Sequence, residues 1–487
     1  MDKQTTLAFV LIGLILITWL YFNSPEPPKD IKKGKDSTLV KKDKDTTEKQ
    51  TVTKTVEENN IDSSAISGPF AESRKQGRII TVETDLVKMM LNTKGGRILK
   101  YYLKEYQTWY YKDKPENDFY NRHVQLVNSK NGGDLNLLFV TKDGQKVNTA
   151  NLDFNTNLEN SYYKITGKDS LPVTFSYKTE DGKTIEKNIV LYANNYESNL
   201  AVKFVNMQNT VSGMRYDLSW DEGINFVEGN SVDEANYSSA SVYMGGEQEI
   251  IDASHPGDKV QKEMNGKIDW VGVRNKYFAL ILSPKKSDYE WGAVFEGVHK
   301  SSARGQKEIY SASLKVPFKG VAEQVDNFTL YFGPCDYSLL KSYDKNYQAI
   351  YDFGSFFGLK FITRPISEYI LLPVFQFLHW FIPNYGFVII FFSLLIKIAL
   401  YPLSKQSMAS MKKMQLLQPK ITELKEKYKD DQQKVQTETM KLYQTYGINP
   451  AGGCLPMVLQ MPILFALFTF FNVAIELRHQ PFILWIN

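Results

Sequence analysis

Features that mark several large classes of protein are missing from this sequence. Its 487 residues contain only two cysteines and five histidines, and the histidines show neither H-E-x-x-H spacing nor another clustered metal-binding pattern. There is no G-x-x-x-x-G-K-S/T loop and no G-x-G-x-x-G after a strand pattern, so nothing indicates nucleotide chemistry. The formal net charge is +4, which is too small to indicate binding to nucleic acid.

What the sequence does contain is long apolar runs near both of its ends. Residues 6–22 carry no charge, and Trp19 and Tyr21 stand at one end of this run as interfacial anchors. A cleaved signal peptide is the alternative, but Lys3 is the sole basic residue before the run and no small-x-small cleavage site follows it. We interpret residues 1–28 as an uncleaved membrane anchor.

Two further spans are predicted nearer the other end, over residues 384–403 and 453–475. The later span contains Pro456 and Pro462, which helices in a bilayer tolerate when neighbouring groups satisfy the freed carbonyls. We therefore expect a membrane protein with three spans, followed by a short exported segment, residues 476–487.

Between the first and second spans the composition changes twice. Residues 29–60 hold nine Lys and seven Asp or Glu, so the segment 29–63 is expected to be a disordered tether that buries too little apolar surface to fold. Residues 64–345 show short alternating strands; in VTFSYKTEDGKTIEKNIVLY, Asp181 and Gly182 separate two such runs, as in a β-hairpin. We expect a large β-sandwich, of the super-sandwich type, without a catalytic motif.

A helix that lies in the membrane interface is predicted over residues 356–383. Lys360, Arg364 and Glu368 recur at every fourth position and so share one face, while apolar residues fill much of the rest. Two prolines interrupt the pattern, and a tryptophan stands near its end. A helix buried against the β-domain is the alternative.

Residues 404–450 show a strong helical pattern. Apolar residues recur at intervals of three and four in two stretches joined by a short polar connection, which predicts an antiparallel pair of helices. The two apolar seams are Met414, Leu417, Ile421, Leu424 and Tyr428, and Val435, Thr439, Leu442 and Tyr446.

The orientation follows from the lysines of this helical hairpin. It has nine Lys against five Asp or Glu, which places it in the cytoplasm by the positive-inside rule. The tether is lysine-rich too and argues the other way, but long segments cross a membrane largely regardless of charge. We therefore expect a cytoplasmic amino terminus and an exported β-domain. Cys335 and Cys454 then lie in different compartments, so no disulfide between them is expected.

Lys397 stands inside the second span, where a charge costs about 2.5 to 3.5 kcal/mol. Ser393, Tyr401 and Ser404 share its face of the helix. Gln460 reaches a similar depth on the third span if both spans begin at one boundary. In the simpler alternative, the lysine only extends its ammonium group to the cytoplasmic interface. We favour a water-filled groove, open to the cytoplasm, in which polar parts of another chain keep their water inside the membrane.

Several stretches resemble the YidC-type membrane protein insertases of the YidC/Oxa/Alb family. In the membrane region these are YPLSKQSMASMKKMQLLQPKITELKEKY, NPAGGCLPMVLQMPILFALF and ELRHQPFILWI. In the β-domain they are VKMMLNTKGGRILKYYLKEY and LYFGPCDY. The similarity runs from the first span to the last residue, in the family's order.

The resemblance implies an insertase that takes nascent membrane proteins from the ribosome, alone or with the Sec translocon, and releases them into the lipid bilayer. It implies a multi-pass protein of the bacterial inner membrane with a periplasmic β-domain, no enzyme activity, and no cofactor or metal. The alternative is a membrane-anchored periplasmic β-sandwich that binds a glycan or another ligand, for which His123, His255 and His299 are available. A solute channel would need a repeated pore-lining pattern, which the sequence lacks.

The resemblance also implies residue roles. In that family an arginine of the first core span projects into the groove and attracts acidic residues of the substrate, and Lys397 stands at the matching position. The implied groove residues are Lys397, Ser393, Tyr401 and Gln460. The implied residues for substrate capture or ribosome contact are Met408, Met411, Lys412, Lys413 and Met440. Relatives with this layout continue through three more spans, so the chain is expected to be a fragment.

Overall fold

The structure, a computed structural model, describes residues 68–73, 76–127, 134–285, 292–303, 305–354, 360–429, 431–447 and 455–481. The predicted first span and tether lie outside the described residues. So do the first two residues of the predicted third span and the last six residues of the chain.

Strands dominate the described residues from 79 to 334, and helices dominate those from 360 onward. The strands are β1 Ile79–Glu83, β2 Val87–Asn92, β3 Arg97–Gln107, β4 His123–Gln125, β5 Asp134–Val140, β6 Lys146–Asn148, β7 Asn155–Thr156, β8 Tyr162–Lys164, β9 Ser170–Lys178, β10 Thr184–Tyr192, β11 Glu197–Val205, β12 Arg215–Trp220, β13 Ser239–Met244, β14 Glu247–Ile251, β15 Lys259–Asn265, β16 Trp270–Arg274, β17 Phe278–Pro284, β18 Gly292–Ser302, β19 Gly305–Pro317 and β20 Glu323–Pro334. The helices are α1 Phe119–Arg122, α2 Ser231–Ala235, α3 Tyr337–Ser342, α4 Lys360–Ile366, α5 Leu372–Phe381, α6 Tyr385–Lys427, α7 Gln432–Thr445 and α8 Leu455–Val473.

The described strands form three sheets, which confirms the predicted β-sandwich. A five-stranded sheet has the order β4-β3-β2-β1-β8, a nine-stranded sheet β14-β13-β16-β17-β20-β11-β10-β9-β7, and a six-stranded sheet β15-β18-β19-β12-β5-β6. Strand β8 pairs with β1 in parallel, whereas the neighbours along the chain, such as β9 and β10, pair antiparallel. This pattern of short hairpin connections is what the regular turn signals predict.

The hairpin predicted around Asp181 and Gly182 is present between β9 and β10. Gly182 has a φ of +80°, which a residue with a side chain adopts only with strain. The alternating pattern of β10 also places Lys187 inside the sandwich, where its Nζ donates to the carbonyl oxygen of Gly95 at 2.6 Å. Burial lowers the pKa of Lys187 to about 7.

One aromatic contact joins the three sheets. The ring of Phe332, on β20, lies 4.5 Å from that of Tyr101 on β3 and 5.1 Å from that of Trp220 on β12, measured between centroids. Tyr101 Oη also donates to the carbonyl oxygen of Phe332 at 2.8 Å. All three side chains are buried, and burying a phenylalanine stabilises a fold by roughly 1.5–3 kcal/mol. The sheets therefore share a single core.

One segment among the described residues, Tyr385–Pro402 of α6, is long and apolar enough to cross a membrane. Helix α8 is apolar over the shorter stretch Gln460–Val473. Helix α6 continues to Lys427, through Pro402, so no break in the backbone marks the boundary that the sequence predicts between residues 403 and 404. The change from apolar to polar composition ends the span without ending the helix.

Helices α5, α6 and α8 pack around one phenylalanine. The ring centroid of Phe375 lies 5.8 Å from that of Phe392 and 5.3 Å from that of Phe470. Val388 and Ala466, on α6 and α8, are fully buried in the same cluster. These contacts fix which face of α6 is covered and which face is open.

The segment predicted to lie in the interface is helical from Lys360 to Phe381, with a π-helical turn, Ser367–Leu371, between α4 and α5. This turn follows Pro365, whose ring and missing N–H disturb regular α-helical bonding. The exposed side chains of the segment from Lys360 to Phe381 include Phe361, Tyr369, Phe377 and Trp380. Contact of these side chains with lipid stays a prediction.

A buried carboxyl group in the β-domain has a raised pKa. Tyr310 Oη lies within hydrogen-bond distance of both Glu308 and Asp252 and also accepts from the N–H of Ala253 at 2.9 Å. A hydroxyl has one proton to donate, so two bonds to carboxyl groups require that one of the two be protonated. His299 Nδ1 lies 3.0 Å from Glu308 as well. Burial raises the pKa of Glu308 from 4.5 to about 7, so Glu308 is mostly protonated at mildly acidic pH and loses its proton around neutral pH.

We expect Glu308→Gln to flatten the pH dependence of β-domain stability. Because the folded-state pKa is the higher one, Glu308 favours folding at low pH, and this contribution is lost as pH rises from 4.5 through about 7. The full contribution is roughly 3 kcal/mol for a shift of this size, of which about 2 kcal/mol falls between pH 5.5 and pH 8. Urea unfolding at pH 5.5 and pH 8, followed by tryptophan fluorescence, measures it. Glu296→Gln, at an exposed position of β18, should keep the wild-type slope. An unchanged slope in Glu308→Gln would show that the carboxyl group is ionised.

Candidate functional site

The site predicted around Lys397 lies on α6, whose first turn is fixed by a side-chain cap. Asn384 Oδ1 accepts from the N–H groups of Gly386 at 2.9 Å and Phe387 at 3.2 Å, which satisfies two donors that the first turn leaves free. From there the helix is unbroken to Lys427. The cap and the aromatic packing together set the rotation of the helix at residue 397.

The face that carries Lys397 is open. Lys397, Ser393 and Tyr401 are all exposed, and they lie four residues apart along the helix. Within the described part of the chain, Lys397 has neither a hydrogen bond nor an ion pair to a side chain. The neighbouring Leu394 and Ile398 are exposed too, at 51% and 60%. Among the described residues, therefore, this ammonium group stands beside apolar side chains without a charged partner.

Helix α8 contacts this face of α6 near Ser404. Gln460 Nε2 donates to Ser404 Oγ at 3.1 Å, and Ser404 Oγ donates in turn to the carbonyl oxygen of Leu400 at 3.1 Å. With its amide nitrogen engaged, Gln460 has its carbonyl oxygen Oε1 as an acceptor. Ser404 lies seven residues, about 10 Å, beyond Lys397 along the helix axis. The structure thus brings Gln460 to the end of the polar stripe, and Ser393, Lys397 and Tyr401 line the stripe above it.

The residues assigned to substrate capture lie on the surface of the helical hairpin. Met408, Met411 and Met440 are exposed by 61%, 60% and 52%, and Lys412 and Lys413 are exposed as well. On the opposite side, the predicted seam residues Leu417 and Ile421 are buried, so the apolar periodicity identified the packed face of α6 correctly. Lys420 Nζ lies 4.5 Å from the ring centroid of Tyr446 and joins α6 to the end of α7.

The histidines of the β-domain have ordinary structural surroundings. His123 and His299 each hydrogen bond through Nδ1 to a main-chain carbonyl oxygen, and His255 is exposed. In the residues that the structure describes, no group of three or more His, Cys, Asp or Glu side chains is placed to hold a metal ion.

The sequence did not predict that the segment after α8 is attached to the β-domain. Arg478 Nε donates to Glu228 Oε1 at 2.7 Å, and the Arg478 side chain is only 4% exposed. Tyr277 Oη donates to the carbonyl oxygen of Asn472 at 3.3 Å, and Ile475 is part of the β-domain core. Arg478 and Glu228 are 250 residues apart, so no local pattern links them.

Two carboxyl groups at this junction have pKa values that are raised to near neutral pH. Glu234, on α2, accepts from the N–H groups of Val227 and Glu228, yet burial raises the pKa of Glu234 to about 8. Burial, and then the nearby carboxyl of Asp336, raise the pKa of Glu476 to about 7. The junction therefore carries less negative charge at neutral pH than its composition suggests.

Two of the solved structures that resemble this chain show weak likenesses. A galactose mutarotase related enzyme from Lactobacillus acidophilus is 12% identical over 52% of this chain and 97% of that chain, with a TM-score of 0.29. The α-N-acetylgalactosaminidase NagBb from Bifidobacterium bifidum is 9% identical over 60% of this chain and 42% of that chain, with a TM-score of 0.33. Likenesses of this size support no conclusion about function.

Comparison with family models and curated proteins is decisive. Residues 79–369 match the YidC periplasmic domain, and residues 377–487 match the 60Kd inner membrane protein family. The membrane protein insertase YidC of Chlorobium limicola is 37% identical over this whole chain, which covers 79% of the relative. That of Pelodictyon phaeoclathratiforme is 36% identical, with the same coverage. This chain, with its β-sandwich and its helical membrane region, therefore belongs to the YidC family of membrane protein insertases.

Proposed function

We propose that this chain inserts nascent membrane proteins along the open face of α6, through a groove that admits water from the cytoplasm. The groove residues are Lys397, Ser393, Tyr401 and Gln460. The observation that carries this proposal is the exposed Lys397, which has apolar neighbours and no protein partner among the described residues. A charge in that place is stable only beside water or beside a charge that a substrate brings.

The free energy of insertion comes from the substrate itself. Burial of apolar surface is worth about 25 cal/mol per Å², so a hydrophobic segment leaves water spontaneously once its polar flanks can cross. The groove lowers the cost of those flanks, because Ser393, Tyr401 and the Gln460 carbonyl oxygen offer hydrogen bonds at membrane depth. Such a process needs no covalent step and no cofactor.

Lys397 supplies a positive charge that favours substrates with particular polar residues beside the hydrophobic segment. An ammonium group is a compact, strongly hydrated point charge with three donors, and it attracts a carboxylate without the fixed two-bond geometry of a guanidinium group. In this chain, Lys397 therefore attracts acidic residues of a substrate through its charge alone. The strength of the attraction depends on the distance to the carboxylate and on the water around both groups. A substrate segment with one aspartate or glutamate fits this site.

The membrane arrangement and the further partners complete the proposal. Residues 6–22, 384–403 and 453–475 span the membrane, the β-domain is periplasmic, and the hairpin of 404–450 is cytoplasmic. The exposed methionines of the hairpin offer adaptable apolar contacts to emerging segments, and Lys412 and Lys413 offer charge to ribosomal RNA. The ribosome and the Sec translocon are the proposed partners.

Photocrosslinking tests the groove. A photoreactive amino acid at position 397 or 460 should form adducts with ribosome-bound membrane protein chains, because these positions lie on the substrate path. Leu395 and Val458 are matched controls, since each lies at nearly the same depth as its partner but about 200° around the helix and is exposed. We expect adducts to be severalfold stronger at 397 and 460. Equal labelling at all four positions would refute a defined path.

The charge of Lys397 is tested by substitution in the full-length protein. Lys397→Arg should support growth of a depleted strain, and Lys397→Ala should slow insertion of a substrate with an acidic flank severalfold, because the attraction is lost. Lys397→Glu should insert a variant substrate with a lysine flank better than the acidic one. The double variant Lys397→Ala/Leu395→Lys should not recover activity, since its charge is on the wrong face. Equal growth of all variants would make the lysine dispensable.

Ribosome contact is tested by charge reversal on the hairpin. Lys412→Glu/Lys413→Glu should lower co-sedimentation with ribosomes severalfold, because two attractive charges become repulsive. Lys425→Glu/Lys427→Glu makes the same change at two exposed positions further along α6 and should have the smaller effect. A larger loss of co-sedimentation in Lys425→Glu/Lys427→Glu than in Lys412→Glu/Lys413→Glu would place the ribosome contact at the tip of the hairpin.

A further inference from the structure

A loop of the β-domain, residues 108–122, is rich in aromatic side chains, and we call it the aromatic loop. Its sequence is TWYYKDKPENDFYNR. The N–H of Thr108 donates to the carbonyl oxygen of Arg122 at 2.8 Å, so the loop is closed at its base. Arg122 Nη1 donates to the carbonyl oxygens of Tyr111 at 3.1 Å and Lys114 at 2.9 Å. These bonds give the loop a fixed shape.

Trp109, at the start of the loop, is 54% exposed. One side of its ring lies against the main chain of Gly229, where an added Cβ would stand 3.2 Å from Trp109 Cδ2. The ring of Tyr110 is nearly perpendicular to that of Trp109, with 5.1 Å between the ring centroids. A large indole that is held in place and half exposed indicates an interaction surface.

The loop adjoins the outer end of α8. The ring centroid of Tyr111 lies 5.5 Å from that of His479, six residues after the last residue of α8. Gly229, which supports Trp109, follows Glu228, the partner of Arg478. The aromatic loop is therefore attached to the chain at the point where α8 leaves the membrane region.

A second contact lies at the same end of the helical bundle, where α6 begins and the chain leaves α8. Asn384, which caps α6, donates through Nδ2 to the carbonyl oxygen of Pro481 at 3.4 Å. The first turn of α6 and the segment after α8 thus lie together. Just before this turn, Trp380 and Phe381 are 77% and 60% exposed. Tryptophan and tyrosine are enriched at the headgroup level of a bilayer.

The charge of the loop decides between partners. It contains three basic residues, Lys112, Lys114 and Arg122, and three acidic residues, Asp113, Glu116 and Asp118, so it has no net charge. A neutral, aromatic surface has no electrostatic attraction for nucleic acid or an acidic protein. It fits the zwitterionic headgroup region of a lipid bilayer, into which an indole partitions with its N–H still hydrated.

We propose that the aromatic loop rests on the periplasmic leaflet of the membrane, with Trp109 at the depth of the lipid headgroups. The loop and the Arg478 junction then hold the β-domain at a fixed height and tilt above the groove. This inference rests on the topology proposed above, in which the outer ends of α6 and α8 face the periplasm.

Fluorescence quenching in lipid nanodiscs tests the proposal on the complete chain. A fluorophore is attached at Lys112→Cys in the loop or at Val321→Cys, in a chain with Cys454→Ser; Cys335 is buried and is left in place. Val321 is 46% exposed and lies two residues before β20, whose other end pairs with Phe278 beside the junction. Strand β20 has 12 residues and spans roughly 40 Å, which places Val321 far from the junction. The quencher is phosphatidylcholine with a headgroup nitroxide.

We expect quenching at position 112 to exceed that at 321 severalfold. Trp109→Ser should lower it at 112, and Trp109→Tyr should retain it, because tyrosine also favours the interface. A label at Phe391→Cys, an exposed position in α6, reports through a nitroxide on the lipid acyl chain whether α6 lies in the bilayer. Quenching at 391 with equal values at 112 and 321 would overturn the loop contact and leave the membrane placement of α6 intact. Absence of quenching at 391 would overturn both.

Discussion

The packing of Phe375 against Phe392 and Phe470 is the contact on which the arrangement of the membrane helices depends. It joins α5, α6 and α8, with ring centroids 5.8 Å and 5.3 Å from that of Phe375. Because these rings cover one side of α6, the polar stripe of Ser393, Lys397 and Tyr401 is left open. A helix with its aromatic residues on another face would bury the lysine or turn it away from Gln460. The position of the charge is thus a consequence of apolar packing, which tolerates little change in shape.

The β-domain is joined to this bundle by a polar contact of a different kind. Arg478 is nearly buried and pairs with Glu228, and the neighbouring Glu234 and Glu476 have raised pKa values. A buried ion pair is weak as a source of stability but strict in its geometry, since either partner alone would leave an uncompensated charge. The contact therefore acts chiefly to specify how the periplasmic sheets sit on the end of α8. Ile475, in the β-domain core, adds the apolar burial that the ion pair lacks.

Sequence patterns predicted those parts of the structure that depend on local spacing. Alternation and the turn at Gly182 predicted the β9–β10 hairpin, and the three-four spacing predicted that Leu417 and Ile421 are buried. The continuity of α6 was not predicted, because composition reports the membrane boundary while backbone hydrogen bonding decides where a helix ends. The Arg478–Glu228 pair was not predictable either, since a contact across 250 residues leaves no periodic signal. Of the predicted groove, the structure shows the contact of Gln460 with Ser404 and the open face of Lys397.

In the proposed groove, a lysine at position 397 sets a different requirement from the arginine that the family resemblance implies there. A guanidinium group spreads its charge over a plane and is weakly hydrated, so it can remain in a partly dry site, while an ammonium group concentrates its charge and retains water more strongly. A groove built around lysine must therefore stay wet at that depth, or bring other oxygens within reach of the nitrogen. Ser393 and Tyr401, one turn to either side, are placed to hold such water with their hydroxyl groups. In the groove proposed above, the hydroxyl stripe and the lysine would act as one unit, in which the hydroxyl groups maintain the hydration that lets the charge attract a substrate carboxylate inside the membrane.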